Sequence, residues 1–308
     1  MSSYVAVFSD ISRAKQAEQK LFFLANHDTL TGLPNRLQRI NTGNNHWYKI
    51  DRTYAPGVTT VLGKLDKPWM KPWVSGLIAD YVADNRDWLA TAPDPDAIRS
   101  VLRAVPNNVT RDALLRGTEL HTHAETLLTD GHIDMPPGEQ ADMVQAIADF
   151  LTTWQIERLA IEIPLCNTTK RWAGTTDLIC RSAPIARALN LAEDALIVID
   201  WKTNAKAIYP ESAIQVATYA NADLAHINGQ EQAMPRCEGA ALVRVTPNGC
   251  ELVPVWPRRI PELYRLFTAA LYVWQCTDDK RGWLNTALAD PATRPEDLET
   301  LTAQDTAA

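Results

Sequence analysis

Asp200 and Lys202 sit at the end of an apolar run, Ala195 to Trp201, and their spacing of two decides what they can do together. Side chains alternate along a strand, so Asp200 and Lys202 share one face while Trp201 points to the other. A carboxylate there can hold a divalent cation. A lysine beside it can orient an attacking water or steady charge on a phosphoryl oxygen. Taken alone the pair says little, because a D-x-K triplet arises by chance about once in a chain of this size. Its plain alternative is a strand end carrying an incidental ion pair.

Other residues of matching chemistry surround it. Gly174-Thr175-Thr176-Asp177 lies inside a predicted strand, Trp172 to Arg181. Gly174 permits close backbone approach, and Asp177 is either a strand-edge charge or a second carboxylate sharing a metal with Asp200. Glu162 stands between Ile161 and Ile163 in the apolar segment Leu159 to Leu165. It either faces solvent or points into the same site. Upstream, Arg116-Gly117-Thr118-Glu119-Leu120-His121-Thr122-His123-Ala124-Glu125 reads as helix. Gly117, His121 and Glu125 recur every four residues and so line one helical face. Imidazole is a competent ligand for a transition metal, although a helical histidine taken singly is more often packed or solvated. Gln215 and Tyr219 share the same spacing on a helix after the D-x-K strand.

The elements that must position these residues follow from periodicity. Strands are predicted over 46–50, 158–165, 172–181 and 195–201. Helices are predicted at about 68–90, 95–104, 110–129, 138–156, 211–225 and 260–276. Cys237 to Val245 and Cys250 to Val255 form a hairpin around Pro247-Asn248-Gly249. Val58, Thr59, Thr60 and Val61 add a β-branched stretch after Pro56-Gly57. The nearly continuous apolar run before Asp200 marks a buried central strand, and the order of elements implies an α/β domain with a mixed sheet flanked by helices.

The chain has 308 residues, of which 46% are hydrophobic, enough for one large domain, or one domain plus an appendage. Its formal net charge of -7 does not favour nucleic-acid binding by bulk charge, which leaves a local basic groove as the alternative. Lys64, Lys67, Lys71, Arg111, Arg116, Lys170, Arg171 and Lys206 are candidates to line one, or ordinary solvated surface. The aromatic residues Trp69, Trp73, Tyr81 and Trp88 are either helix core or platforms for unpaired bases. The five cysteines, Cys166, Cys180, Cys237, Cys250 and Cys276, form no C-x-x-C pair. Neither a zinc site nor a disulfide framework is indicated, and a reducing cytoplasm is the expected home. No apolar run approaches the ~20 residues of a membrane span, so no membrane association is expected. No G-x-x-x-x-G-K-[ST] phosphate loop is present, so no ATP-driven motor is expected.

Taken in order, Gly117/His121, Gly174/Asp177, Asp200/Lys202 and Gln215/Tyr219 resemble the motif series of the RecB-like branch of the PD-(D/E)XK nucleases, over residues 46–275. The segment Tyr54 to Leu62 is similar to phage-type members. The resemblance implies a restriction-endonuclease-like core with an N-terminal helical appendage, and a Mg²⁺- or Mn²⁺-dependent deoxyribonuclease, an exonuclease, in DNA processing, repair or recombination. It implies His121, Asp177 and Asp200 as metal ligands and Lys202 as the residue assisting water. Glu162 would take a further catalytic role, Gln215 and Tyr219 would contact substrate or brace the site, and Arg116 would contact substrate. DNA with free ends or single strands is the expected partner, with a recombination or helicase partner beside it. Some relatives carry an iron–sulfur cluster; without a C-x-x-C pair none is expected here.

The first residues differ in kind. Asp10-Ile11-Ser12, the following helix and His27-Asp28-Thr29-Leu30-Thr31-Gly32-Leu33-Pro34-Asn35-Arg36 resemble the junction between a PAS sensor and a GGDEF cyclase domain, without the cyclase loop. The expected organisation is a signalling fragment at 1–40 contributing little to the core, a nuclease domain at 41–289 and a flexible tail at 290–308. A cyclic-dinucleotide signalling remnant and a catalytically inactive nucleic-acid-binding module are the competing readings.

Overall fold

The computed structural model describes residues 35–42, 45–92, 94–203 and 207–278. Strands β1 (Leu37–Thr42), β2 (Asn45–Ile50) and β3 (Thr53–Pro56) form a small antiparallel sheet in that order. A short helix α1 (Val58–Leu62) follows, then α2 (Met70–Asp84), α3 (Arg86–Thr91), the long α4 (Pro95–Asp130) and α5 (Glu139–Thr153). Next come β4 (Glu157–Asn167), β5 (Trp172–Arg181), α6 (Ala183–Ala188), β6 (Leu196–Lys202) and α7 (Pro210–Tyr219). Strands β7 (Leu224–Ile227), β8 (Gln230–Ala233), β9 (Cys237–Thr246) and β10 (Gly249–Val255) and helix α8 (Ile260–Asp278) complete the fold.

The larger sheet has seven strands in the order β10-β9-β6-β5-β4-β7-β8. Strands β6 and β9 run parallel, and the other neighbours are antiparallel. The sheet is therefore mixed, with helices on both faces. Alternation along β6 sorts its side chains between two cores. Val198 joins Val61 of α1, Val216 and Ala217 of α7 and Phe267 of α8 on one side. Ile197, Ile199 and Trp201 meet Leu120 and Ala124 of α4, Ile147 and Phe150 of α5 and Ile185 of α6 on the other. Asp200 and Lys202 belong to the Val198 face by the same alternation.

The structure departs from the sequence expectation where tertiary contacts outweigh local pattern. The two helices expected at 95–104 and 110–129 are one, with Pro106 inside it; the Thr110 hydroxyl donates to the Pro106 carbonyl there. The β-branched stretch 58–61 is helical because Val58 and Val61 are buried in the first core. The helix expected to reach 225 stops at Tyr219. Leu224 and Ala225 instead pair with β4, and the Asp223 carboxylate accepts from the Thr168 backbone N–H and hydroxyl. The expected helix 68–90 is divided at Asn85.

The signalling-type motifs of residues 1–34 and the tail at 290–308 lie outside the described residues. At the expected boundary near residue 40 the chain is already part of the fold. Leu37 is buried beside Tyr48 and Ile50, its N–H donates to Glu231, and Arg36 pairs with Asp51. Strand β1 therefore straddles that boundary. Among the described residues, no helix is long and apolar enough to cross a membrane.

Candidate active site

The site forms where β5 and β6 separate. Their antiparallel ladder ends at the pair Leu178↔Ile199, and the next residues in register are Asp177 and Asp200. Opposed residues of neighbouring strands project from the same face, so the two carboxylates meet there. Both are buried, Asp177 with 8% and Asp200 with 2% of its surface exposed. Asp177 Oδ2 accepts from the Trp201 N–H at 2.7 Å, which ties the opened end of β5 to β6.

Asp200 and Lys202 meet as their shared face predicts. Lys202 Nζ lies 2.5 Å from Asp200 Oδ2 and donates to Gln215 Oε1 at 3.2 Å. Gln215 Nε2 donates to Asp200 Oδ1 and to the Tyr219 hydroxyl, each at 3.0 Å. The residues four apart on α7 thus brace Asp200 and Lys202. Tyr219 in turn requires Gly174. A Cβ at Gly174 would stand 2.5 Å from Tyr219 Cε1, far inside van der Waals contact.

Glu162 reaches the site through a kink. Its φ is +47°, the left-handed region that a non-glycine residue adopts at a cost. The β4–β5 ladder pairs Ile161↔Leu178 and Ile163↔Thr176 and leaves Glu162 and Asp177 out. The kink reverses the alternation, so Ile161 packs against one core and Ile163 is buried in the other. The carboxylate is thereby delivered beside His121, whose Nδ1 lies 3.9 Å from Glu162 Oε1 and 3.5 Å from Asp177 Oδ1. Helix α4 supplies His121 next to Leu120, which anchors the helix in the second core.

Charge and burial set the protonation of these groups. Burial opposes the His121 imidazolium, but the Asp177 and Glu162 carboxylates outweigh it and raise the pKa to about 10. Burial, then the Asp200 charge, push Asp177 up to about 6 despite His121. Burial likewise opposes charged Lys202, yet Asp200 holds its pKa above the ordinary value.

Candidate ligand atoms of His121, Glu162 and Asp177 all lie within 4.8 Å of one another. Asp200 lines the same pit, with its Oδ2 against the Lys202 ammonium. One imidazole and three carboxylates make a donor set that fits Mg²⁺ or Mn²⁺, the nitrogen favouring Mn²⁺. A divalent cation there would supply Lewis acidity and an activated water.

Two connected cavities give access. A pit of 180 Å³ is lined by the motif residues His121, Glu162, Gly174, Asp177, Asp200, Lys202, Gln215 and Tyr219, with Arg39, Tyr48 and Gly57. A groove of 610 Å³ shares Arg39, His121, Glu162 and Lys202 with the pit and runs along α4 past Gly117, Thr110 and Glu125. Gly117, His121 and Glu125 therefore do share the groove face. Arg116 is exposed on α4 and lines neither cavity. Residues 68–104 line neither cavity. Trp69 stacks on Tyr209 at 4.4 Å and meets Trp73 edge-on.

The proposed basic groove is dispersed. Lys64, Lys67 and Lys71 border a separate groove of 740 Å³, and Lys67 pairs with Glu211. Arg171 donates to the Ile50 carbonyl, and Lys206 lies outside the described residues. Sequence reasoning did not single out Arg39 or Tyr48. Tyr48 is opposite Arg39 in the β1–β2 ladder and shares a hydrogen bond with Thr175 at 3.2 Å. The strand alternation of 46–50 was a signal for Tyr48; Arg39 lay in the segment assigned to another domain. Compared with known proteins, the chain matches no family model and no curated sequence.

Proposed function

We propose that the chain is a metal-dependent deoxyribonuclease with a PD-(D/E)XK-type core. The observation that carries this reading is the convergence of the motifs read from the sequence: His121, Gly174, Asp177, Asp200, Lys202, Gln215 and Tyr219 line one pit, and Gly117 lines the groove that adjoins it. Three carboxylates and an imidazole would hold Mg²⁺ or Mn²⁺, which supplies a polarised phosphate oxygen and an activated water. Lys202 lies where an ammonium can orient that water or steady the phosphate, and Gln215 fixes the direction of its Nζ. Tyr219 and Gln215 act as braces. The groove along α4 leads a strand to the pit, so the natural substrate is DNA offering an end or a single strand, and the activity is that of an exonuclease. The test is a time course on matched linear and covalently closed single-stranded DNA in Mn²⁺. Loss of the linear form with survival of the circle is expected. Equal loss of both excludes the exonuclease assignment, and loss of neither excludes the nuclease.

A further inference from the structure

Arg39 occupies a position that the proposed chemistry leaves unused. It stands on β1, directly across from Tyr48, and lines both the 180 Å³ pit and the 610 Å³ groove. The other ionisable residues common to both cavities are His121, Glu162 and Lys202. His121 is held between carboxylates, and Lys202 is half-buried against Asp200 and Gln215. Arg39 is exposed where the groove and the pit meet. The groove also carries Glu125, whose carboxyl is raised by burial and by the Glu162 charge. An incoming polyanion thus faces Glu125, Glu162, Asp177 and Asp200 and needs a cation at the rim to approach them.

We propose that Arg39 is the phosphate clamp of this groove, binding a backbone phosphate of the nucleic-acid strand where groove and pit meet and so setting the register of the scissile linkage. This rests on the nuclease reading. A guanidinium presents paired N–H donors in a fixed fork that matches two phosphate oxygens. Lysine keeps the charge but not the fork. Because Arg39 lies on β1, that strand supplies part of the substrate site.

The experiment uses the full chain, a short fluorescein-labelled single-stranded oligonucleotide and anisotropy in chelator across a salt series. Arg39→Gln should weaken binding about tenfold, as expected for losing a charge-assisted contact. It should lower the slope of log K against log salt by about 0.7, the contribution of one single-strand phosphate. Arg39→Lys should keep the slope and lose affinity several-fold. Replacing one linkage at a time by a neutral methylphosphonate should reveal a position that weakens wild type and leaves Arg39→Gln unaffected. Wild-type binding that Arg39→Gln leaves within about twofold, with an unchanged salt slope, overturns the clamp and spares the nuclease reading. Equal affinity of Arg39→Lys and wild type overturns the bidentate contact. Absence of wild-type binding overturns the clamp, while the nuclease reading is judged separately by cleavage in Mn²⁺. If Arg39→Gln fails to fold, the Arg39→Lys affinity decides.

Discussion

Gly174→Ala tests the bracing of the site with a single methyl group. The added Cβ would lie 2.5 Å from Tyr219 Cε1, 3.2 Å from Cζ and 3.3 Å from the hydroxyl oxygen. Carbon atoms rest at about 3.5 Å or more, so the ring must retreat by about 1 Å. Tyr219 is 3% exposed and has little room. Overpacking of this kind costs about 1–3 kcal/mol, and for a domain this large that lowers Tm by roughly 2–10 °C. The retreat also removes the hydroxyl that Gln215 Nε2 holds at 3.0 Å, with Asp200 Oδ1 on the same nitrogen. Misplacement by about 1 Å can cost on the order of a hundredfold in rate. The assay is a thermal melt beside initial cleavage rates in Mn²⁺. A second change, Tyr219→Ala, should remove most of the clash, so its cost on the Gly174→Ala background should be smaller than in wild type. Gly117→Ala is the control, because its Cβ would meet Thr203 Oγ1 at 3.4 Å and helix propensity improves. A Gly174→Ala protein with wild-type Tm and rate would refute the steric argument.

Other consequences follow from the kink and from the buried charges. Glu162→Gly should raise stability by about 1 kcal/mol, because glycine adopts the positive φ without strain, while cleavage falls sharply; a denaturant melt showing a less stable variant contradicts this. In the metal-free protein His121 has a pKa of about 10 and Asp177 of about 6. A cation must therefore displace the His121 proton at any pH below 10, and the Asp177 proton as well below 6. Raising pH favours metal: the apparent Mn²⁺ association constant should climb about tenfold per unit between pH 7 and 9 and more steeply below 6. Calorimetry in buffers of different ionisation enthalpy counts the released protons, and a flat profile would show that His121 is not a ligand. Lys202→Ala should retain Mn²⁺ affinity within a few-fold but lose most of the rate. Wild-type turnover in that variant would remove Lys202 from the chemistry.

What the sequence revealed, and what it hid, has a physical pattern. The strand carrying Asp200 was legible because a central strand is apolar on both faces, and the pairs at spacings of two and four reported true shared faces for Asp200 and Lys202 and for Gln215 and Tyr219. Glu162 was ambiguous because alternation was assumed through it. The positive φ that breaks alternation belongs to a residue type with no preference for that conformation, so nothing local announced it. Helix α1 was hidden for a similar reason: Val58 and Val61 have strand propensity, and only their burial makes the helix. The hairpin of β7 and β8 depends on pairing with β4, a partner sixty residues away by the register Leu165↔Ala225. Arg39 was overlooked because it lies before residue 46, where the nuclease resemblance begins, in the segment assigned to the signalling fragment, whereas β1 runs from Leu37 to Thr42.

The account's central claim is that His121, Glu162, Asp177 and Asp200 hold a divalent cation that supports hydrolysis of DNA. The most direct measurement is Mn²⁺ titration followed by electron paramagnetic resonance, run beside cleavage of linear single-stranded DNA, for wild type and Asp177→Asn. Tight Mn²⁺ binding and cleavage that chelator abolishes are predicted for the wild type. Asp177→Asn should keep its fold while losing both. Cleavage that persists in chelator, or Mn²⁺ affinity and cleavage unchanged in Asp177→Asn, would contradict the claim.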